Sequence, residues 1–291
     1  MCCRHEIDRV RLSQWVAGCL GAKNVFATVL ACAAALRDPW RVTTRRSGEP
    51  WELYYWPNIQ GRGELIRLAL EDAGARYIDV ARLSKKEGGG IQALLAILGR
   101  EASPVTPFAP PILKVGRLVL SQTSNILQVI APRLGLVPKD EASRIAAHQL
   151  QLTIADFLSE VHETHHPIAT ALYYEDQKPE AKKRARHFAE DRIPKFLGYF
   201  ERVLAANRKS KGRYAVGRAA SYVDLSLFQI MLGLAYAFPR ALGRIEKKLP
   251  LLMALRDRVA ARPRLAAYLA SERRLGWNED DLFRRYPELD A

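Results

Sequence analysis

Residues 51–74, WELYYWPNIQGRGELIRLALEDAG, predict a short strand, a tight turn and then an amphipathic helix. Residues 53–56 are aromatic and apolar, as strand residues commonly are. The Pro-Asn dipeptide at 57–58 interrupts this run, and from Gly61 onward apolar residues recur at helical spacing. Gly74 stands where helices favour a residue in the left-handed conformation. We expect the rest of the chain to be organised around this strand–turn–helix unit.

The turn in this unit is a candidate anion site. It places the hydroxyl of Tyr54 or Tyr55 beside the N-terminus of a helix, which favours anions. Arg62 lies in the first helical turn, where a cation opposes the helix dipole, so we interpret it as held for an anion. Together these groups could stabilise a thiolate or another small anion. The alternative is an ordinary strand–helix unit with a core tyrosine and a solvated arginine.

The composition predicts a globular chain with room for two hydrophobic cores. Of its 291 residues, 48% are hydrophobic and 26% are charged, and the formal net charge is +14. Such a charge suits anionic ligands or loose polyanion binding, but no nucleic-acid motif accompanies it. The basic residues are scattered over predicted helices, so we interpret them as solvated helix faces and expect no nucleic-acid partner.

The cysteines and the first 50 residues stand apart from the rest. All four cysteines lie within the first 32 residues, which excludes a disulfide framework, a zinc–thiolate site and a cysteine nucleophile from the rest of the chain. The apolar run at 25–36 is too short to span a bilayer. We interpret residues 1–50 as a disordered or dispensable extension, with an export or targeting signal as the alternative.

The first domain is predicted over residues 51–135, with the element order β-α-β-α-β-β-α. After the opening unit, the expected elements are a strand at 76–83, a helix at 91–98, strands at 112–115 and 118–121, and a helix at 122–134. Gly116 and Arg117 suit the two-residue turn between the last two strands. This order predicts a small mixed sheet covered by helices.

The start of the last helix in this domain is a second candidate anion site. There, free backbone N–H groups stand beside the hydroxyls of Thr123 and Ser124, directly after Gln122. The alternative is a plain N-cap formed by Thr123 or Ser121.

The second domain, residues 140–275, is predicted to be entirely helical. The expected helices are 141–163, 179–207 with a bend at Pro194, 221–236, 246–261 and 264–274. Ser221 and Asp224 have the spacing of a capping box at the start of an apolar, buried helix. The last stretch, 276–291, is polar with aromatic residues, and we expect it to fold back across the body of the protein.

Three histidines near the end of the first long helix raise the question of a metal site. His162 and His166 are four residues apart and share a helix face, and His165 lies between them. No carboxylate or thiol is placed to serve as a third ligand, so we predict no metal site. The alternative interpretation is a polar helix end that lines a cleft or faces solvent.

A cysteine-free domain of this order, joined by a short linker to a helical domain, resembles the soluble glutathione transferases. Over residues 51–275, three segments carry the resemblance: YYWPNIQGRGELIRLALEDAG (54–74), PPILKVGRLVLSQTSNIL (110–127) and GRAASYVDLSLF (217–228). The first is similar to the tyrosine-type classes (alpha, mu, pi and sigma), and we interpret the chain as a bacterial-looking member. The resemblance implies a thioredoxin-like α/β N-terminal domain and an all-α C-terminal bundle.

The resemblance also assigns roles at the first candidate site. In the tyrosine-type classes the catalytic tyrosine is followed by Phe or Trp, which selects Tyr55, followed by Trp56, over Tyr54. Tyr55 would donate a hydrogen bond to the sulfur of glutathione, and Arg62 matches the arginine near the thiolate in the alpha class. The turn after Tyr55 is one residue longer than in the animal classes.

The second segment would bind the rest of glutathione. Pro111 corresponds to the family's cis proline, and Gln122 and Thr123 correspond to the Gln-Ser pair that holds the γ-glutamyl end. The residue before the cis proline normally pairs with the cysteinyl backbone through both its N–H and its C=O. Here that residue is Pro110, which has no N–H, so one of these two hydrogen bonds cannot form.

The resemblance therefore implies transfer of glutathione, as co-substrate, to hydrophobic electrophiles, with no metal. It further implies a role in detoxification, a homodimer, and a cytoplasmic location with no membrane association. An isomerase or peroxidase reaction on the same site, and a non-catalytic ligand-binding protein, are the alternatives. The pocket for the electrophile cannot be assigned by motif, and its candidates are Tyr173, Tyr174, His162 and His166.

Overall fold

The computed structural model describes residues 49–98 and 105–290. The predicted extension at 1–50, apart from its last two residues, lies outside the described residues, and so do the four cysteines. From residue 49 onward the described residues belong to one compact unit.

A four-stranded mixed sheet forms the first part of this unit. Its strands are β1 (Trp51–Tyr54), β2 (Tyr77–Asp79), β3 (Ile112–Val115) and β4 (Leu118–Ser121), and its helices are α1 (Gly63–Asp72), α2 (Ile91–Leu98) and α3 (Thr123–Leu134). The strand order is β2-β1-β3-β4. The β1–β2 pair is parallel, whereas β1–β3 and β3–β4 are antiparallel. The predicted order β-α-β-α-β-β-α is thus confirmed.

The two faces of this sheet contribute to different hydrophobic clusters. Leu53 points to the face covered by α1 and α3 and joins the main core, which continues into the helical part. Its neighbour Tyr54 points to the other face and packs with Leu94 and Ile97 of α2 and with Ile112. This alternation follows from the two-residue period of a strand, and it separates Tyr54 from the face that α1 covers.

Two predicted strands differ from the observed ones. The first was expected at 53–56, but it ends at Tyr54 because its pairing with β2 and β3 ends there. The second was expected at 76–83, but only Tyr77–Asp79 pairs with β1, and Val80–Arg82 turns into a 3₁₀ helix. Gly74 follows α1 with a φ of +63°, as the sequence predicted for a left-handed residue.

The second part is helical, as predicted. Its helices are α4 (Glu141–Glu163), α5 (Lys178–His187), α6 (Ile193–Ala206), α7 (Tyr222–Ala237), α8 (Pro239–Ile245), α9 (Pro250–Ala260) and α10 (Pro263–Leu269). The bend expected at Pro194 is a π-helical turn at Phe188–Arg192, directly before α6. The helix predicted at 264–274 is shorter and ends at Leu269. The one predicted at 246–261 begins with a 3₁₀ turn.

The capping box at the start of α7 forms as the sequence predicted. The Ser221 hydroxyl and backbone N–H both donate to one carboxylate oxygen of Asp224, each at 2.7 Å. The other oxygen accepts from the backbone N–H of Ala215, also at 2.7 Å. Burial raises the pKa of Asp224 to about 6 despite these three donors. This carboxylate therefore joins the start of α7 to the preceding loop.

The C-terminal tail folds back across the body, as expected. Trp277 stacks on Tyr236 of α7 with ring centroids 5.2 Å apart, and Leu282 and Phe283 are buried. Phe283 packs so closely on Gly233 that a side chain there would collide with its ring.

In the described part of the chain, no single helix is both long and apolar enough to cross a membrane. Tyr222–Ala237 and Pro239–Lys248 meet that test of length and composition only when taken together, with a bend of 117° between them.

Candidate active site

The register of the sheet brings the predicted site residues to one edge. Tyr54 pairs with Ile112, and Ile112 pairs with Ser121. These three residues form a row across β1, β3 and β4, because paired residues lie side by side in a sheet. The residues next beyond the row are Tyr55, Pro111 and Gln122, so one edge of the sheet carries the predicted tyrosine, cis proline and helix start.

Tyr55 lies directly beneath the N-terminus of α1. Its hydroxyl oxygen accepts a hydrogen bond of 2.9 Å from the backbone N–H of Arg62. Gly61 and Gly63 allow this close approach, since a Cβ on Gly63 would stand 2.6 Å from the ring and a Cβ on Gly61 would collide with the hydroxyl. Because the phenol oxygen accepts from the backbone, its own O–H hydrogen is available to a ligand.

Tyr54 has different surroundings. Its side chain belongs to the cluster on the opposite face of the sheet, and its hydroxyl donates to Glu52 Oε2 at 2.6 Å. Glu52 also pairs with Lys114 at 2.8 Å. The structure therefore places Tyr55, and not Tyr54, at the helix N-terminus where the sequence expected a tyrosine hydroxyl.

The electrostatic environment keeps the Tyr55 phenol protonated. Burial raises its pKa above the ordinary value, the N–H bond and charge of Arg62 act in the opposite direction, and Asp281 adds to the rise. A protonated phenol is a hydrogen-bond donor and not a base. Arg62 is half-buried at the N-cap of α1, where its side chain makes no capping hydrogen bond.

The second predicted segment also forms as expected. The Pro110–Pro111 peptide bond is cis. Gln122 is the exposed N-cap of α3, with a φ of +67° and no side-chain cap. The hydroxyl of Thr123 is buried and has no hydrogen-bond partner within the described residues. The helix does not show the alternative of a plain N-cap by Thr123 or Ser121, because its N-cap residue is Gln122 and no side chain caps it.

Sequence reasoning missed the contribution of the C-terminal tail to this site. The carboxylate of Asp281 accepts hydrogen bonds from the backbone N–H groups of Gln60 at 3.0 Å and Gly61 at 2.7 Å. Asp281 is only 1% exposed, and burial raises its pKa. The signal in the sequence was weak, because one acidic residue in a polar tail does not indicate a partner more than 200 residues away.

A buried polar network behind the site was also missed. Arg67 is fully buried and donates to Asp79 at 2.7 Å and to Glu64 at 3.4 Å. Glu64 in turn accepts from Tyr268 at 2.8 Å and pairs with Arg274. These contacts join α1 to α10 and the segment after it. Isolated buried charges are costly, so the network holds the helix start in one position.

The three histidines gather at the end of α4. The centroids of their three rings lie within 5.1 Å of one another, and the rings of His162 and His166 are stacked. Burial lowers the pKa of His162 to about 4 and that of His165 to about 2, and it also lowers that of His166. His165 Nε2 lies 3.0 Å from the carbonyl oxygen of Leu282, and the preceding residue, Asp281, bonds Gly61 at the start of α1, so the tail places the cluster near the Tyr55 site.

The two tyrosine candidates for the electrophile pocket, Tyr173 and Tyr174, have different surroundings. Tyr174 is buried under the tail, where its ring stacks on Tyr286 at 3.9 Å and its hydroxyl donates to Glu288 at 3.0 Å. Tyr173 is 79% exposed. Tyr174 therefore anchors the tail, and only the histidines of this set are near the site.

Comparison with known proteins supports one family. Residues 162–272 match the family model described as the glutathione S-transferase C-terminal domain. The chain is 25% identical over 230 residues to the glutathione S-transferase of Plasmodium falciparum, an alignment that covers 78% of this chain and 98% of that one. It is 27% identical over 226 residues to the human glutathione S-transferase P, covering 76% and 92%. These relatives are eukaryotic and lend no support to a bacterial source, which stays a prediction.

Solved structures show the same fold. The Pi-class glutathione S-transferase of Onchocerca volvulus superimposes with a TM-score of 0.57 at 24% identity, over 75% of this chain and 91% of that one. The prostaglandin synthase D of Nilaparvata lugens superimposes with a TM-score of 0.58 at 19% identity, over 77% and 98%. The chain thus has the fold of these proteins, with a thioredoxin-like domain followed by a helical one, and the comparisons together support the glutathione S-transferase family.

Proposed function

We propose that this protein transfers glutathione to hydrophobic electrophiles, with Tyr55 as the residue that activates the thiol. The observation that carries the proposal is the Tyr55 hydroxyl. It lies under a helix N-terminus and accepts from the Arg62 N–H at 2.9 Å, which leaves its O–H to donate to a sulfur. The relatives named glutathione S-transferase, which align over most of their own length, support the same activity.

The chemistry requires a thiolate at neutral pH. A free thiol has a pKa of about 8.5 and is mostly protonated at pH 7. Lowering that pKa by about two units stabilises the thiolate by about 2.7 kcal/mol and makes it the main species. The phenol hydrogen bond, the helix N-terminus and the charge of Arg62 are the groups that would supply this stabilisation.

The start of α3 suits the γ-glutamyl end of glutathione. A helix N-terminus offers N–H groups to a carboxylate, and Gln122, without a side-chain cap, leaves them open. Pro110 would accept one hydrogen bond from the cysteinyl backbone through its C=O.

The test is an ultraviolet difference titration of bound glutathione against pH, using the full chain. We expect the thiolate absorption to persist well below the pKa of the free thiol. Binding without a shifted pKa would instead indicate a carrier or ligand-binding protein. Absence of binding would show that the fold serves another ligand.

A non-catalytic role in ligand binding is the second candidate, and Pro110 is the observation that favours it. Because Pro110 has no N–H, the site loses one hydrogen bond to glutathione, which corresponds to about 0.5–1.5 kcal/mol of binding free energy. A moderate loss of this size weakens glutathione binding without removing it, so transfer remains the better-supported function. Isomerase and peroxidase reactions use the same thiolate, and no contact among residues 49–98 and 105–290 favours them.

A homodimer is the proposed assembly. Ile145 and Leu152 are 61% and 48% exposed on α4, and seven residues apart they share one helix face. They line a cleft of about 480 Å³ together with His148 and Tyr222. Burying such a face against a second copy would remove apolar surface from water. The tyrosine-type class, the cytoplasmic location and the role in detoxification also stay predictions.

A further inference from the structure

We propose that His162, His165 and His166 form a binding site for a divalent transition-metal ion of the zinc type. The sequence predicted no metal site because it offered only two histidines on one helix face. In the structure, the imidazole of His165 lies beside those of His162 and His166. One ring nitrogen from each histidine lies within 4.8 Å of the other two, with no ion present.

The distances suit a tetrahedral ion after small ring rotations. With metal–nitrogen bonds of about 2.0–2.1 Å, two ligand atoms of a tetrahedral ion stand about 3.3 Å apart. The His165 and His166 Nδ1 atoms are 2.6 Å apart, so this pair has to open slightly. The widest pair, at up to 4.8 Å, has to close by about 1.5 Å.

The second ring nitrogen of His165 is already fixed in the manner of a metal ligand. His165 Nε2 lies 3.0 Å from the carbonyl oxygen of Leu282. Because a carbonyl oxygen only accepts, Nε2 carries the proton, and neutral His165 presents the lone pair of Nδ1 to the cluster. Ligand histidines commonly donate their other N–H to a backbone carbonyl in this way. His166 Nδ1–H then donates to His165 Nδ1, and a metal would bind His166 after its proton moves to Nε2.

The end of α4 holds the three rings together. The backbone N–H groups of His165 and His166 both donate to the carbonyl of His162, at 3.3 and 3.2 Å. Residues three and four apart therefore remain on one side of the turn. The Thr164 hydroxyl donates to the carbonyl of Val161 at 2.7 Å, which closes the helix end. Since His165 is 1% exposed and covered by the tail, the cluster is assembled before any ion arrives.

A tetrahedral ion of the zinc type takes a fourth ligand besides the three imidazoles. Half-exposed His162 and His166 leave the open side that such a ligand needs.

The test is a titration of the full chain with Co²⁺, which reports its coordination by visible absorption. Competing sites are removed first, by replacing the four cysteines of the first 32 residues with serine in every variant. We expect one Co²⁺ per chain with the strong visible bands of tetrahedral coordination and no thiolate charge-transfer absorption. Loss of stoichiometric binding in this background would overturn the proposal.

Single substitutions then assign the ligands. His162→Ala and His166→Ala should each weaken Co²⁺ binding by about 100-fold, since even partners outside the ligand set cost 10–100-fold. His148→Ala is the matched control, because His148 lies on the same helix outside the cluster, and it should bind as the parent does. Equal affinities in all three variants would refute the site. His165 is not used for the first test, because it is buried and its replacement could disturb folding. The readout is the absorption of bound Co²⁺, which does not depend on any transferase activity.

Discussion

The substitution Tyr55→Phe removes one hydroxyl and tests the proposed activation of glutathione directly. A hydrogen bond to a charged group contributes about 1.5–3 kcal/mol, which corresponds to a rise of about 1.1–2.2 units in the thiol pKa. If the bound thiol of the parent protein has a pKa of about 6.5, the thiolate fraction at that pH falls roughly sevenfold to eightyfold in the variant. Near pH 9 both proteins are mostly thiolate, and the difference shrinks to less than about twofold.

The assay is turnover at saturating glutathione with a chromogenic aryl halide, measured across this pH range. Tyr54→Phe is the matched control, because Tyr54 bonds Glu52 on the opposite face of the sheet, and it should leave turnover unchanged. Tyr55→Phe also leaves the part-buried Arg62 N–H without its acceptor, so thermal unfolding must show that the variant is folded at the assay temperature. A folded variant with full turnover at low pH, or a deficit that does not depend on pH, would refute the reasoning.

Three further changes test other parts of the molecule. Pro110→Val restores a backbone N–H and should tighten glutathione binding by about 2- to 13-fold, measured by calorimetry; unchanged affinity would show that this N–H has no role. Ile145→Glu combined with Leu152→Glu should convert a dimer to a monomer in light scattering, whereas a monomeric parent protein would refute the homodimer. Asp281→Asn should lower the free energy of unfolding by about 1–3 kcal/mol, while the exposed neighbour Asp280→Asn should not.

Local patterns were sufficient to predict the elements that build the site. The helix at 91–98, the strands at 112–115 and 118–121, and the long helix at 141–163 have the bounds that their periodicity predicted. Periodicity and turn chemistry are set by neighbours in sequence, and so are readable there. The order of these elements then placed Tyr55 at the sheet edge, although only the resemblance to a family chose it over Tyr54.

Strand ends and tail contacts could not be predicted in the same way. The pairing partners of β1 decide where this strand ends, and Tyr54 is its last paired residue. The contact between Asp281 and Gln60 spans 221 residues, and no local rule describes such a pair. The sequence named His165 but did not predict its place in the cluster for a related reason, because His165 follows the end of the helix and is held by the tail at Leu282.

The tail contact adds to the effects that keep Tyr55 protonated as a donor. Three consecutive backbone N–H groups stand at the start of α1, and each bonds a different oxygen. Those of Gln60 and Gly61 go to the two carboxylate oxygens of Asp281, and that of Arg62 goes to the Tyr55 hydroxyl. The carboxylate thereby offsets part of the positive potential that would otherwise favour a phenolate, and its charge raises the pKa of Tyr55 further. Burial is the main cause of the raised pKa of Tyr55, and Asp281 adds to it from the same helix end, so the phenol keeps its proton for the sulfur.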